Sequence, residues 1–400
     1  MRAGIDVLDL AHYARMGPPH ELFAQLRAEA PVYRHAEKDG PGFWAITRYD
    51  DVVAVSRDSA TYSSFQGGTM VPDSKPEQLF VVRQMMLNMD PPQHTKLRAL
   101  VNKGFTPRMV TRLHQRIGEL AHEIVDRVAR QGECDFVTDV AGELPSYVIA
   151  ELMGIPLEDG RELYRLTERM HTAAPTPDGM ADGARAIFEM MSYSNGIRSE
   201  KRTRPADDIA TTLLAAEVDG EKLTDLEFDM FFMLLINAGG DTTRNLVAGG
   251  MLELIHHPEE RRKLAADPSL LPGAIEEMLR WVTPVIHFRR TATRDTELHG
   301  ERIAAGDKVV VFYSSANRDE AAFAEAGRFD VTRSPNEHVA FGGGGVHFCL
   351  GANLARVEIR ALFAEVLARL PDLELAGPVD RLHSNFINGP RRMPVRFTAR

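Results

Sequence analysis

The sequence predicts a mainly α-helical chain with a minor β region. Three observations carry that expectation. Helix-compatible runs punctuated by proline and glycine fill most of the 400 residues. Alternating, strand-like segments are few and short, and a capped apolar run from Thr224 to about His256 is long enough to cross a protein interior.

An apolar content of 44% over 400 residues supports a large core. Length alone allows two or three domains, but no Gly/Ser-rich or Pro-rich linker interrupts the chain, so the expectation is one domain spanning residues 1–400. A net charge of −10, from 47 basic and 57 acidic residues, argues against a general nucleic-acid binder. Two cysteines, Cys134 and Cys349, are too few for a disulfide framework or an ordinary structural zinc site, which fits a reducing cytoplasm. The first residues carry acids within a short apolar stretch, unlike a secretory signal. The richest apolar stretch, Met230 to Ile236, is far below membrane-spanning length, so a soluble protein without a membrane anchor is expected.

In chain order, Val32 to His35 and Gly42 to Ile46 read as strands. Ile286 to Thr293, Lys308 to Tyr313 and a C-terminal pair around Phe386 and Val395 to Thr398 follow. Asp90-Pro91-Pro92 resembles an N-cap with proline in the first helical turn. His94 and Arg98, at i and i+4 on the helix that follows, form a two-donor fork suited to a carboxylate, although a plain surface His and Arg would read the same. Thr224-Asp-Leu-Glu227 is a capping-box pattern, and Phe231 to Ile236 is apolar on every side, as an interior helix should be.

Inside that helix, Ala238-Gly-Gly-Asp241-Thr242-Thr243 breaks the rules of its neighbourhood. Each glycine costs about 1 kcal/mol against alanine, and a carboxylate enters an apolar segment. A widened groove over a flat cofactor, with an acid and a hydroxyl to manage protons, accounts for all three choices. A kinked helix with a satisfied polar pair accounts for them equally well. Glu277 and Arg280 share a helix face and read first as a solvated ion pair.

Near the C-terminus, Cys349 ends Phe341-Gly-Gly-Gly-Gly-Val-His347-Phe348-Cys349, immediately before a strongly helical run. A thiol at that position feels the positive end of the helix dipole, which favours thiolate and a soft metal. Glycine backbone also permits close approach of a flat cofactor. A thiolate-ligated haem is the implied group. His347 could equally be a core histidine, and Arg290 could line a strand edge. A P-loop is excluded because the glycine run ends in Val-His-Phe-Cys, not Gly-Lys-Ser/Thr. A Rossmann fingerprint lacks its βαβ context, and a cysteine protease would need His347 to fold back as base.

Taken together, these residues resemble the cytochrome P-450 superfamily of haem-thiolate monooxygenases in its soluble bacterial form. The match runs from His94-x-x-x-Arg98 through Ala238-Gly-Gly-Asp241-Thr242, Glu277-x-x-Arg280, Arg290, Ala316-Asn-Arg-Asp319 and Arg328-Phe329-Asp330 to the cysteine loop and Ala352-Asn-Leu-Ala-Arg356. The resemblance implies the mainly helical triangular prism of that family, with a minor β region. It implies Cys349 as the axial ligand of haem b (iron protoporphyrin IX), with His94, Arg98, Arg290 and His347 on the propionates. Asp241 and Thr242 would be the catalytic acid–alcohol pair, and Glu277, Arg280 and Arg328 a structural charge triad. Phe341 departs from the common pattern by standing eight residues before the ligand; the extra glycine resembles a subgroup acting on sterols, methyl-branched lipids and terpenoids.

The implied reaction uses O2 and two electrons to hydroxylate a hydrophobic small molecule, with a ferredoxin and its NAD(P)H-dependent reductase as partners. A peroxide-driven oxidase, an aromatic or polyketide-like substrate, and a haem sensor or carrier are the alternatives. Lys96, Lys103, Arg108, Arg112, Arg356 and Arg360 could form a basic docking patch. Chain position places Met70, Val71, Phe80, Met180 and Phe188 at the substrate pocket. Leu235, Ala238, Val285 to His287, Phe386 and Ile387 join them, and the set is mainly apolar.

Overall fold

A computed structural model describes residues 6–38, 40–104, 107–172, 177–218 and 220–399. Helices dominate and the sheets are small, as expected. Backbone contacts group the chain into two compact units. The first comprises Met1–His94, Leu252–Ala352 and Arg381–Gly389; the second comprises Thr95–Met251, Asn353–Asp380 and Pro390–Arg400. Among the described residues no helix is long and apolar enough to cross a membrane.

The first unit is organised by a five-stranded sheet in the order Val32–His35, Phe43–Ile46, Lys308–Phe312, His287–Ala292, Tyr62–Ser63. Phe43–Ile46 and Lys308–Phe312 pair in parallel, with Val311 opposite Ile46, and both strands are buried along their whole length. Such strands must be apolar on both faces, which is how these two read. Trp44, Ile46, Val309 and Val311 enter one core cluster, while Phe43, Ala45, Val310 and Phe312 enter the other. The pleat thus sends alternate residues to opposite faces.

The expected strand at Val32–His35 is observed with those bounds, and the segment from Ile286 shortens to His287–Ala292. Around Phe386 the expectation fails. Ser384 Oγ accepts the amides of Phe386 at 3.1 Å and Ile387 at 3.0 Å, so a side-chain turn takes the donors a strand would need. Only an isolated bridge between Val285 and Ile387 remains.

In the second unit the helix Asp225–His256 opens on the expected capping box. Thr224 N donates to Glu227 Oε2 at 2.9 Å, and Glu227 N to Thr224 Oγ1 at 3.2 Å. Phe228, Phe231, Phe232 and Met233 are all buried. A three-stranded sheet joins Glu374–Leu375, Pro394–Arg396 and Glu133–Asp135.

Buried charge anchors the first unit, and here the pair that the resemblance implied prevails over the solvated-pair reading, while the third member of the triad needs correction. Glu277 and Arg280 are fully buried, not solvated, and form a bidentate pair at 2.7 and 2.8 Å. The third member is Arg333, whose Nε donates to Glu277 Oε2 at 3.1 Å. Arg328 instead directs its side chain to the exposed Glu325 and offers Arg280 only its carbonyl, at 3.1 Å. Arg328→Ala should therefore change unfolding free energy by no more than about 0.5 kcal/mol. Arg333→Ala, which removes hydrogen bonds to a buried carboxylate and three carbonyls, should cost about 2–3 kcal/mol in denaturant titrations.

Candidate functional site

In the first unit the cysteine loop, Phe341 to Gly351, packs on the helix Tyr49–Arg57. A Cβ on Gly343 would lie 2.7 Å from Ser56 Oγ, and one on Gly345 2.6 Å from the Ser56 carbonyl. Gly342, Gly344 and Gly345 adopt φ of 98°, 89° and 74°, a region L-residues avoid. Glycine is thus required both by the turn and by the neighbouring helix. Cys349 N donates to the Phe341 carbonyl at 3.0 Å, so the loop closes across eight residues in spite of the extra glycine. The Cys349 side chain is exposed, and the helix Ala352–Arg369 starts just after it.

Three of the four residues expected to hold propionates are linked within this unit. His94 is 1% exposed, and its ring lies 4.4 Å from that of His347. Ser64 Oγ is 3.2 Å from His347 Nε2, and Ser64 N donates to Asp90 Oδ1 at 2.8 Å. Asp90 starts the helix Gln93–Gly104 with its carbonyl, which accepts the His94 amide at 3.0 Å. Its carboxylate is taken by Ser63 and Ser64 instead of capping the helix.

Arg290 is 3% exposed and donates to the Arg289 carbonyl at 2.8 Å. Asp90 is near enough to act on it electrostatically, but among the described residues no carboxylate lies within ion-pair distance. Burial depresses its pKa. A buried guanidinium without a carboxylate is unfavourable on its own and suits an incoming anion. With an exposed soft thiol in the same unit, this donor set fits a haem bearing propionates. Arg98, one turn beyond His94 on the same helix, is half-buried.

The second unit carries the acid and the alcohol. The helix remains α throughout, with Thr242 Oγ1 bonded to the Ala238 carbonyl at 2.7 Å. The glycines serve helix packing: a Cβ on Gly239 would stand 2.5 Å from Ile149 Cδ1, and one on Gly240 3.3 Å from the Tyr164 ring. No break or widening of the helix accompanies them. Leu234, Ala238 and Thr242, at i, i+4 and i+8, form a partly uncovered stripe on an otherwise buried helix, with Ala238 exposed. That stripe can lie against a flat ligand.

Asp241 turns from the stripe. It is 2% exposed, and its Oδ1 is 3.0 Å from Arg244 Nη2. Arg244, itself 1% exposed, also contacts Glu168 on the helix Leu157–Thr172. The structure thus separates the expected acid–alcohol pair, with Thr242 on the stripe and Asp241 on the arginine. Sequence reasoning missed Arg244 and Glu168. Arg244 was detectable as the i+3 partner of Asp241, whereas nothing local announces Glu168.

Of the other pocket candidates, Met70 (45%), Phe80 (63%), Met180 (68%) and Phe188 (74%) are exposed. Val71, Ile286, His287 and Ile387 are core residues. His287 sits between the rings of Phe312 and Phe386, where burial lowers its pKa to about 4. In the expected basic patch, Lys96 is paired with Glu221, and Arg360 is exposed. The side chains of Lys103, Arg108 and Arg112 lie outside the described residues.

A family model described as cytochrome P450 matches residues 187–374. A steroid C26-monooxygenase of Mycobacterium tuberculosis is 41% identical over 411 residues, covering 99% of this chain and 93% of that protein. A methyl-branched lipid omega-hydroxylase of the same species is 40% identical over 389 residues, covering 94% and 90%. The solved structure of a Mycobacterium marinum cytochrome P450 in complex with pseudoionone matches with a TM-score of 0.91 at 40% identity, covering 98% of this chain and 99% of that one. A Bacillus megaterium relative in complex with testosterone matches with a TM-score of 0.83 at 33% identity, covering 94% and 99%.

Proposed function

This chain belongs to the cytochrome P450 family, and we propose that residues 1–400 act as one catalytic domain that hydroxylates a sterol, terpenoid or methyl-branched lipid in the cytoplasm. The observation that carries the substrate class is near-full-length similarity to a steroid C26-monooxygenase and a methyl-branched lipid omega-hydroxylase. Large exposed apolar side chains support it: Met70 and Phe80 in the first unit, Met180 and Phe188 in the second. A lipophilic ligand that covered either pair would gain about 25 cal/mol for each Å² removed from water.

Haem b, when bound, supplies the metal centre at which O2 is reduced and one oxygen atom is transferred to a substrate C–H bond. Cys349 would hold its iron as thiolate, and His94, Arg98, Arg290 and His347 would hold its propionates. Arg290 is the strongest of these assignments, because among the described residues no carboxylate pairs with its buried charge. Thr242 presents a hydroxyl on the uncovered stripe, where it can hold or pass a proton, and Asp241 would be its source of protons. Electrons would come singly from a ferredoxin and its NAD(P)H-dependent reductase, since Cys134 and Cys349 cannot hold an iron–sulfur cluster.

Two measurements test this reading. A ligand screen following the low-spin to high-spin shift of the ferric protein, with mass analysis of products, should select sterols, terpenoids or branched lipids; selection of small polar compounds alone would rule the class out. In Thr242→Ala, electron consumption should continue while product falls and hydrogen peroxide rises. Unchanged hydroxylation would remove the hydroxyl from the proton path.

A further inference from the structure

Two carboxylates share one buried guanidinium in the second unit. Arg244 Nη2 lies 3.0 Å from Asp241 Oδ1, and Arg244 Nη1 contacts Glu168 Oε1. The guanidinium is centred 5.0 Å from the Tyr164 ring, and Tyr164 OH donates to Glu168 Oε1 at 3.3 Å. Arg244 and Asp241 are almost wholly buried, whereas the Glu168 side chain is 34% exposed. The arrangement therefore runs from an acid beside Thr242, through a fixed cation, to a carboxylate that meets solvent. Arginine does not give up its proton near neutral pH, so the cation cannot relay one. It can only be shared.

We propose that Arg244 is a clamp on Asp241 whose grip is set by the charge on Glu168. With Glu168 ionised, the guanidinium is divided between two anions, and Asp241 can turn towards Thr242. With Glu168 protonated, the guanidinium belongs to Asp241 alone and holds it away. Glu168 is a positioning residue in this scheme, and solvent pH acts on the proton supply through it.

The groups facing Glu168 are Tyr164 and Arg165 on its own helix, Asp241 and Arg244 on the central helix, and Arg391 on the strand Pro390–Arg392. Burial, then the Asp241 charge, raise the Glu168 pKa to about 7, with Arg391 and Arg165 opposing. The touching Arg244 guanidinium also favours its ionised form. A carboxyl raised in the folded state contributes stability that is complete below its unfolded pKa and is lost as pH rises through the folded value.

The inference rests on the reading of Asp241 as the proton source for Thr242, and the test separates the two. In holoprotein, Glu168→Gln, a neutral mimic of the protonated acid at a partly exposed site, should lower product formed per electron consumed severalfold at alkaline pH. The same ratio should rise with pH in the wild type, and the variant should flatten that rise; a wild-type ratio that does not rise with pH would overturn the clamp. The infrared carbonyl band of a protonated carboxyl titrating near neutral pH should disappear in the same variant, and stability should lose part of its fall with rising pH. If Glu168→Gln keeps the wild-type pH profile while Asp241→Asn loses coupling, the clamp is wrong and the acid's role stands. If Asp241→Asn retains full coupling, both fall.

Discussion

In a Cys349→Ala variant, the carbon monoxide complex of the reduced protein loses the red-shifted band that a thiolate ligand confers, and hydroxylation falls to background. The effect is total because the proposed bond to iron rests on this one sulfur atom. The fold should survive. Cys349 is exposed, and the hydrogen bond from its amide to the Phe341 carbonyl at 3.0 Å belongs to the backbone. Circular dichroism should therefore match the wild type while the spectrum of the bound haem changes. A thiolate-type band surviving the substitution would show that another residue holds the metal.

Arg280→Ala produces the largest loss of stability expected of any single substitution in the first unit. The guanidinium is 0% exposed and satisfies Glu277 with two bonds. It also reaches the carbonyls of Asn317 at 2.8 Å, Ala326 at 3.0 Å and Arg328 at 3.1 Å. Removing it takes two bonds from a buried carboxylate and one each from three carbonyls, of which that of Arg328 keeps the Arg333 donor. Breaking a buried pair costs about 3–5 kcal/mol, and total stability is only about 5–15 kcal/mol. Arg333 and Asn336 still donate to Glu277, which moderates the loss without cancelling it. The expected result is a large fall in the denaturant midpoint or failure to accumulate folded holoprotein. A change below about 1 kcal/mol, the size of an exposed pair, would show that the pair contributes no more than surface charge does.

What was legible in the sequence was whatever depends on neighbours along the chain. The capping box at Thr224 and Glu227, the strand Val32–His35 and the glycine turn before Cys349 are all local, and each was observed as read. Features settled by distant partners were harder. The two glycines at 239 and 240 suggested a groove, yet Ile149 and Tyr164, on other helices, account for them. Arg333 reaches Glu277 from 56 residues away through irregular backbone, so no periodicity marks it out, and Arg328 was the plausible substitute. Glu168 stands 76 residues from Arg244, too far for any pattern to connect them. Phe386 sits in an apolar setting that reads as strand, but the nearby Ser384 hydroxyl captured its amide.

The parallel pairing of Phe43–Ile46 with Lys308–Phe312 sets a schedule for biosynthesis. The two strands leave the ribosome about 265 residues apart, which at ~5–20 residues per second means a wait of roughly 13–53 s. During that interval the nascent hairpin formed with Val32–His35 shows an apolar edge with nothing beside it, the condition that recruits chaperones or nucleates clumping. Lower expression rates, which keep fewer unpaired edges present at one time, should therefore raise the yield of correctly assembled chain, and the critical moment comes only once residue 312 has emerged.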